Sequence, residues 1–373
     1  MRPGCSALAL AVTQLRRAPV RTALLVLTVA ALIFVVEFLA TLSQTLQAFS
    51  TGALAHDRAD VFVYAADARG SLDASRLPPG LAGRASRVPG VAAATNLGVF
   101  DFTVTARGSS FALALFGGGA GAGTAAPIRG RVPGPGQGLA DSSEAAAGLG
   151  IGQRITLRPG GATIRMAGLA SGIRYDGVMT VWTTFATWQR AVAAADPGAP
   201  VGIANALAVR ARPGVSAAVL VRRLNAALPG TEAFTRSAAV ADVPGAAIIA
   251  ATFDLLIATA FAVAVLVVGS VFLLVTIQRL HGWAVLRALG ASTAHVGLAV
   301  IAEVLLVVLA ASALASAALV AVTAASSATF PVRAAPSLVA ATAAAMVVGS
   351  LGSALLPVRR ISRLDPASAL ART

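Results

Sequence analysis

The chain has 373 residues, of which 57% are hydrophobic and 12% are charged. That charged share is about half of what soluble proteins carry, so the composition excludes an ordinary soluble protein and favours a membrane protein. All 29 basic residues are arginine, and 15 acidic residues leave a net charge of +14. Without lysine, the chain can form neither a phosphate-binding loop of the Gly-x-x-x-x-Gly-Lys-Ser/Thr kind nor a Schiff base with a substrate.

Residues that bind metals are few. The single cysteine, Cys5, excludes an intrachain disulfide and a cysteine-based zinc site. The histidines His56, His281 and His295 are too scattered to predict a metal site. A basic balance is compatible with nucleic-acid binding, but a chain this apolar points to the membrane first. We therefore expect no cofactor, no metal and no nucleic-acid partner.

The first predicted element is a transmembrane helix near the N-terminus. Residues 22–42 are apolar apart from Glu37, and about 20 helical residues cross the hydrocarbon core of a bilayer. We predict a helix over 22–46, preceded by a basic tail at 1–21. A cleaved signal peptide is the alternative, because Ala53-Leu54-Ala55 has the form of a cleavage site. That site lies well beyond the apolar run, which favours an uncleaved anchor.

The long segment at residues 47–245 predicts a mixed α+β domain, with enough residues for one or two cores. Alternation of apolar and polar side chains predicts two β-hairpins in it. Their strands are residues 98–105 with 111–116, and 154–158 with 162–167. Residues 205–210 predict a further strand.

Two helix–Pro-Gly–strand units occur in this domain, and their likeness indicates a degenerate repeat. Residues 216–228 predict a helix that ends at Pro229-Gly230. Its apolar stripe consists of Val219, Leu220, Leu224 and Leu228. Residues 81–88, followed by Pro89-Gly90, are the weaker counterpart.

The domain carries no convincing catalytic constellation. The stretch at 117–138 is mostly glycine, alanine and proline, and no strand-to-helix unit surrounds it. A flexible loop is therefore a better interpretation than a dinucleotide-binding loop. His56 and Asp57 are neighbours, which is typical of solvated surface rather than of a hydrolase triad.

Three further apolar runs follow, at residues 246–277, 294–325 and 336–357. Backbone groups in lipid must be satisfied within the segment, so we predict that each run is a helix. The first of them, at about 1.5 Å per residue, is longer than the bilayer core is thick. We expect its first turns, with Asp254, to stand at the outer interface. Together with a continued first helix they would form a stalk.

Arginine predicts the orientation of these helices. Basic residues dominate the tail at 1–21, the loop at 278–293 and the tail at 358–373. The positive-inside rule places these three segments in the cytoplasm. The domain at 47–245 and the short loop at 326–335 then lie outside the cell.

The loop at 278–293 has the pattern of a short amphipathic helix under the membrane. Val285, Leu286 and Leu289 share one face, and Gly290 is a natural helix stop. Such a helix can dock into a groove of a partner, for which Arg279 and Arg287 offer charges. A basic turn that only anchors the topology is the alternative.

Several segments resemble FtsX-like ABC transporter permeases. Ala284-Val-Leu-Arg-Ala-Leu-Gly-Ala-Ser292 is similar to the loop signature of that family, and residues 359–370 are similar to its C-terminal signature. Glu303 matches an acid that is frequent early in the third helix. Within the outer domain, residues 88–91 and 149–156 resemble recurring segments. The loop departs at Gly282, where the family usually has an acidic residue.

The resemblance implies a fold of four transmembrane helices with a large α+β domain between the first and second. It implies a non-catalytic permease in a bacterial plasma membrane, paired with a cytoplasmic ABC ATPase and with a second copy or a related permease. ATP hydrolysis would move the outer domain and export or extract an amphipathic substrate: a lipid, a peptide, an antibiotic or haem. Residues 60–77 resemble the haem-exporter branch. A transmitter that activates an outer hydrolase or sensor, without transport, is the alternative.

The candidate functional residues fall into three groups. Coupling to the ATPase is assigned to Arg279, His281, Val285, Leu286, Arg287, Leu289 and Gly290. Glu37 and Asp254 are substrate candidates, because an ionisable group in a membrane helix is costly and marks function by default. For Glu37, a hydrogen bond between helices or snorkelling to the interface is the alternative. Glu303 is assigned to packing or coupling.

Overall fold

The structure is a computed structural model. It describes residues 12–13, 16, 18–106, 108–119, 121–243, 245–278, 293–325, 332 and 334–362. The chain divides into two compact units. The helical unit comprises Met1–Ser43, Thr252–Ser326 and Val332–Thr373, and the α/β unit comprises Gln44–Ala251 and Ser327–Pro331.

All the strands that the structure describes lie in the α/β unit, together with four short α-helices. The helices are α1 (Pro19–Ala55), α2 (Leu81–Ala85), α3 (Phe185–Ala195), α4 (Ala217–Ala227), α5 (Arg236–Ala241), α6 (Ala246–Gln278), α7 (Thr293–Ala324) and α8 (Pro336–Ser362). The strands are β1 (Val61–Ala65), β2 (Val91–Ala106), β3 (Ser109–Gly118), β4 (Arg129–Gly130), β5 (Gln137–Asp141), β6 (Arg154–Arg158), β7 (Thr163–Ala170), β8 (Met179–Thr184), β9 (Ala206–Ala211) and β10 (Thr231–Thr235). Short 3-10 helices cover Ala66–Ala68 and Ser142–Ala147.

The helical unit is a bundle with an apolar core. Helices α1, α6, α7 and α8 all contribute to it, with Ile33, Ala264, Val304 and Met346 among the fully buried side chains. The alanines of this core, Ala30, Ala264, Ala311 and Ala315, let neighbouring backbones approach closely.

Three of the helices are long and apolar enough to cross a membrane. They are Pro19–Ala55, Ala246–Gln278 and Gly297–Ala324. In α8 the apolar stretch that is described is shorter, at Pro336–Gly352. The fourth span and the orientation of the chain therefore stay predictions. Helix α1 has 37 residues, about 55 Å at 1.5 Å per residue, which exceeds the hydrocarbon core.

The first part of the α/β unit is a four-stranded antiparallel sheet in the order β10-β1-β9-β2. Helix α2 connects β1 to β2, and helix α4 connects β9 to β10. This is the split β-α-β arrangement of ferredoxin-like folds. The two helix–Pro-Gly–strand units of the sequence are its two halves, so the predicted helices and strands are confirmed here.

Strand β1 is buried on both faces, and its alternating side chains enter two different cores. Val61 and Val63 face the helices α2 and α4, where Leu220 and Leu224 are fully buried. Phe62 and Tyr64 enter a second core, which also contains Leu54 from the end of α1. Other members of that core come from α5 and the start of α6: Ala239, Val243 and Ala246. Each large side chain removed from water stabilises the fold by about 2 kcal/mol.

The second part of the α/β unit is a closed barrel. The pairs β2–β3, β3–β8, β8–β5, β5–β7, β7–β6 and β6–β2 return to the first strand, and β4 adds to the edge of β7. Both predicted hairpins, β2–β3 and β6–β7, are confirmed. The interior is filled by apolar side chains, among them Leu113, Leu115, Ile155, Leu157, Ile164 and Val181.

The prediction of a flexible loop at 117–138 is wrong for parts of that stretch. Strand β3 continues to Gly118, and β4 and the start of β5 lie within the segment. Ala122 and Ala125 are buried, and the Thr95 hydroxyl donates to the Ala122 carbonyl at 2.7 Å. A side chain at Gly118 would overlap the Gly123 carbonyl. Glycine is therefore needed for close packing here, not for mobility.

Candidate functional site

The predicted coupling residues lie outside the described part of the chain. Arg279, His281, Val285, Leu286, Arg287, Leu289 and Gly290 all fall between Gln278, where α6 ends, and Thr293, where α7 begins. What is described next to them is a bond between helices. The Arg21 guanidinium donates to the Gln278 side-chain oxygen at 2.7 Å, which joins the start of α1 to the end of α6.

Glu37 lies in the core of the helical unit. Its side chain is 1% exposed, and the Ser316 hydroxyl on α7 donates to its two carboxylate oxygens at 3.1 and 3.3 Å. A buried carboxylate needs such donors, because an unpaired charge in an apolar core is costly. The geometry is that of a hydrogen bond between helices, which was the alternative for this residue.

The other two acidic candidates lie in different surroundings. Asp254 on α6 is exposed, so it does not share the buried environment of Glu37. Glu303 on α7 is 4% exposed, which fits a residue that acts within the bundle. In the described ranges, no three His, Cys, Asp or Glu side chains come close enough to hold a metal ion.

A junction that the sequence did not reveal lies at the end of α1. Three backbone hydrogen bonds join this helix end to the loop between β7 and β8. The Ala53 N–H donates to the Arg174 carbonyl at 2.9 Å, and the Asp176 N–H donates to the Ser50 carbonyl at 3.1 Å. The Gly177 N–H donates to the Phe49 carbonyl at 3.2 Å. Backbone groups inside a helix bond to each other, whereas the groups near its end are left without a partner in the helix. Here these groups bond to the loop, which fixes the end of α1 to the barrel.

Gly52 makes this approach possible. A Cβ atom at Gly52 would overlap the Gly172 carbonyl and stand 3.0 Å from the Arg174 carbonyl. Glycine within a helix costs about 1 kcal/mol relative to alanine. The cost is offset where two backbones must touch, and a glycine inside an apolar helix was the one signal in the sequence that could have indicated the junction.

Side chains complete the junction with a buried ion pair. The Arg174 Nε atom lies 3.0 Å from Glu144 Oε1, with the two side chains 5% and 0% exposed. The Arg174 guanidinium carbon also lies 4.6 Å from the centre of the Phe49 ring, a cation–π distance. Burial raises the pKa of Glu144, and the neighbouring Arg174 charge opposes that rise. Removing one partner would leave a buried charge alone, which is strongly destabilising.

Asp57 anchors the glycine-rich segment just beyond the junction. His56 is exposed, as predicted, but Asp57 is 1% exposed, so the prediction of a solvated His–Asp pair is wrong for Asp57. Its Oδ1 atom accepts the Ala59 N–H at 2.7 Å and the Gly123 N–H at 3.0 Å. Burial raises the pKa of Asp57 to about 6, although both hydrogen bonds and the Arg236 charge lower it.

One protein family matches the C-terminal region of the chain. Residues 255–366 match the FtsX-like permease C-terminal family. This range includes most of α6, the predicted coupling loop, α7 and α8. No curated protein matches the sequence.

Two solved structures are similar to part of this chain. The periplasmic region of MacB from Actinobacillus actinomycetemcomitans is 12% identical, with a TM-score of 0.37, over 48% of this chain and 88% of that one. The extracellular domain of the noncanonic ABC-type transporter YknZ from Gram-positive bacteria is 14% identical, with a TM-score of 0.33, over 48% of this chain and 99% of that one.

Proposed function

Because residues 255–366 match the FtsX-like permease C-terminal family, we propose that the chain is the permease subunit of an ABC-type exporter. It works by mechanotransmission: a separate cytoplasmic ATPase hydrolyses ATP, and the permease converts this into movement of the α/β unit. That movement exports or extracts an amphipathic substrate. The chain itself is non-catalytic and lies in a bacterial plasma membrane, with both termini and the loop at 278–293 in the cytoplasm.

The observation that carries this proposal is the continuity of α1. The helix contributes Ile33 to the apolar core of the helical unit and Leu54 to a core of the α/β unit. Its last turns are hydrogen-bonded to the barrel at Ser50 and Ala53. In this proposal, a displacement at one end of the helix is passed along it to the other end. Helix α6 also begins in a core of the α/β unit, at Ala246.

Force enters, in this proposal, at the coupling residues Arg279 to Gly290. The bond between Arg21 and Gln278 supports it, because a push on the loop then reaches α1 as well as α6. Two permeases, either two copies of this chain or this chain with a related one, pair with two ATPase subunits.

A signal transmitter is the second candidate, and the filled barrel favours it. Side chains such as Leu115 and Ile155 occupy the barrel interior, so the barrel is not a conduit for a substrate. A domain that changes position without conducting anything can also switch an outer hydrolase or sensor. The same coupling to an ATPase serves both candidates.

Partner capture tests the coupling. The tagged full chain is purified from its native membrane in mild detergent, and we expect an ABC ATPase subunit with ATP hydrolysis to co-purify. Arg287→Glu and Leu289→Asp should each remove the ATPase, because they reverse a charge and place a charge on the apolar face of the coupling helix. Arg222→Glu, an exposed arginine of α4, is the matched control and should retain it.

The hydrolysis rate separates the two candidates. An exporter predicts that haem, a lipid or a peptide stimulates ATP hydrolysis, whereas a transmitter predicts stimulation only by an outer partner protein. A stable chain that captures no ATPase and shows no hydrolysis would contradict both.

A further inference from the structure

Three polar side chains form a row across the outside of the barrel. Arg165 on β7 is paired in register with Gln137 on β5 and with Arg154 on β6. The neighbours of Arg165 along the strand, Ile164 and Met166, are buried inside the barrel. Because side chains alternate along a strand, Arg165 and its two register partners point to the outer face.

The charges of this row are not neutralised within the chain. Across the residues that the structure describes, the guanidinium groups of Arg154 and Arg165 have neither a hydrogen bond nor an ion pair. Between residues 102 and 172 the acids are Asp141 and Glu144, both buried. Asp141 accepts from the Ser143 and Ile173 N–H groups, and Glu144 is paired with Arg174. Like charges directly opposite on neighbouring strands are destabilising, so an anion between them would stabilise this face.

A groove of about 330 Å³ lies beside Arg165 and Gln137. Arg131, Gln137 and Arg165 form its polar side, and the exposed side chain of Ile151 is on its apolar side. Ile151 is 47% exposed, so its side chain offers apolar surface next to the charged residues. The Gln137 side-chain oxygen accepts the Gly134 N–H at 3.2 Å, which leaves the NH₂ group of Gln137 as a donor.

We propose that this groove binds the phosphate-bearing headgroup of an anionic membrane lipid. Arginine presents several donors in a fixed fork that matches phosphate oxygens, and two arginines with an amide donor suit one phosphodiester. The volume lies in the range of small-ligand sites and is too small for a folded partner. The exposed Ile151 favours a lipid over a purely polar anion, because it offers an apolar contact to the glycerol and first acyl carbons.

That the bound lipid is also the exported substrate rests on the proposed function. That the groove binds an anionic lipid does not depend on it. A free phosphate has a similar charge but no apolar part that would contact Ile151. An acidic protein segment would use the arginines alone and would need a longer charged surface. Both are alternatives that the experiment can separate.

The experiment measures binding to the full chain in nanodiscs of phosphatidylcholine. The probes are dihexanoyl phosphatidylglycerol, dihexanoyl phosphatidylcholine, glycerol phosphate and hexaglutamate, each titrated by calorimetry. We expect phosphatidylglycerol to bind in preference to the other three. Arg165→Gln and Arg131→Gln should each weaken its binding about tenfold or more, because each removes an arginine that lines the groove and with it a charge-assisted contact. Ile151→Ser should weaken phosphatidylglycerol but not glycerol phosphate.

Two controls keep the result interpretable. Arg222→Gln removes an exposed arginine elsewhere in the α/β unit and should leave binding unchanged. The melting temperature of Arg165→Gln should equal or exceed that of the unmodified chain, since the variant relieves the like-charge pair with Arg154. Lost binding then does not come from unfolding.

The remaining outcomes overturn the proposal. Equal binding of phosphatidylcholine, or unchanged binding by Arg165→Gln, shows that the row does not recognise a phosphate headgroup. Glycerol phosphate bound as tightly as the lipid assigns the groove to soluble phosphates, and preference for hexaglutamate assigns it to an acidic protein. Lipid binding without ATPase capture contradicts the proposed function alone, and ATPase capture without lipid binding contradicts this site alone.

Discussion

At the scale of single residues, two buried carboxylates differ in what holds them. Glu37 in the helical unit has a single described donor, the Ser316 hydroxyl. Asp57 in the α/β unit accepts two backbone N–H groups on one oxygen. A backbone donor is held by the surrounding fold, whereas a hydroxyl can rotate away. The partner of Glu37 is therefore held less firmly than the partners of Asp57.

The role of Glu37 as a substrate ligand stays a prediction. Glu37→Gln retains an acceptor for Ser316 and removes the charge, so it should weaken binding of a lipophilic cation such as tetraphenylphosphonium about tenfold while assembly is intact. Equilibrium binding to the full chain in detergent measures this. Ser316→Ala, which keeps the carboxylate and removes its donor, is the control and should retain binding. Unchanged binding in Glu37→Gln leaves Glu37 with the hydrogen bond between helices alone.

Asp57 predicts a dependence of stability on pH. Burial raises its pKa from 3.8 to about 6, so the folded state holds this proton more tightly than the unfolded state. The stabilisation is fully present below about pH 4 and is lost as the pH rises through about 6, on the order of 3 kcal/mol in all. Asp57→Asn keeps an oxygen acceptor but does not titrate. Its unfolding free energy should decline less between pH 4 and 7 than that of the unmodified chain.

Thermal or denaturant unfolding of the full chain, followed through the α/β unit, measures this difference. Asp67→Asn changes an exposed aspartate of the same unit and serves as the control. An identical pH dependence in Asp57→Asn and in the unmodified chain would contradict the assignment to Asp57.

At the scale of elements, helix α1 is the one on which the proposed mechanism depends, because it contributes to a core of each unit. The predicted transmembrane segment at 22–46 is part of this longer helix, because an apolar run indicates only the residues that are apolar enough for lipid. The helix continues to Ala55, where Ala53 and Leu54 are buried against the α/β unit. The residues that were considered as a signal-peptide cleavage site are thus part of a packed core.

Gly52→Ala should loosen this junction. Alanine favours a helix by about 1 kcal/mol, but its Cβ would overlap the Gly172 carbonyl, so the helix end must shift away from the barrel. Overpacking of this kind costs about 1–3 kcal/mol. We expect a lower melting temperature of the full chain and a weaker response of ATP hydrolysis to a stimulating substrate.

The matched control is Gly83→Ala in helix α2, where a Cβ meets no atom within 4 Å. This variant makes the same exchange in a helix of the same unit and should be neutral or stabilising. If Gly52→Ala behaves like Gly83→Ala, the close approach at Gly52 does not matter for the junction.

At the scale of the whole molecule, the distribution of charge and apolar surface separates the two units. The helices of the bundle are apolar on nearly every face, with Leu24 60%, Leu266 69% and Leu309 50% exposed. Helices of this kind lie in a lipid or protein surrounding rather than in water. Most of the charges lie in the α/β unit and the predicted cytoplasmic segments. This distribution is typical of a membrane protein with a polar domain outside the lipid.

The sequence by itself determined the elements of this protein, because each depends on neighbours along the chain. Apolar runs of about 20 residues indicated the long helices, alternation indicated the hairpins β2–β3 and β6–β7, and Pro-Gly pairs indicated where α2 and α4 end. The match of residues 255–366 to the permease family bears out the resemblance of the coupling loop and the tail.

Only the tertiary structure decided what distant residues do together. Gly52 meets Gly172, Arg174 meets Glu144, and Asp57 holds Gly123, and each pair is far apart in sequence. The glycine-rich stretch was predicted to be flexible because its composition carries no apolar pattern. It is packed because residues elsewhere in the chain, such as Asp57 and Thr95, form hydrogen bonds with its backbone. Local patterns record propensity and periodicity, whereas close packing and buried ion pairs depend on which surfaces the folded chain brings into contact.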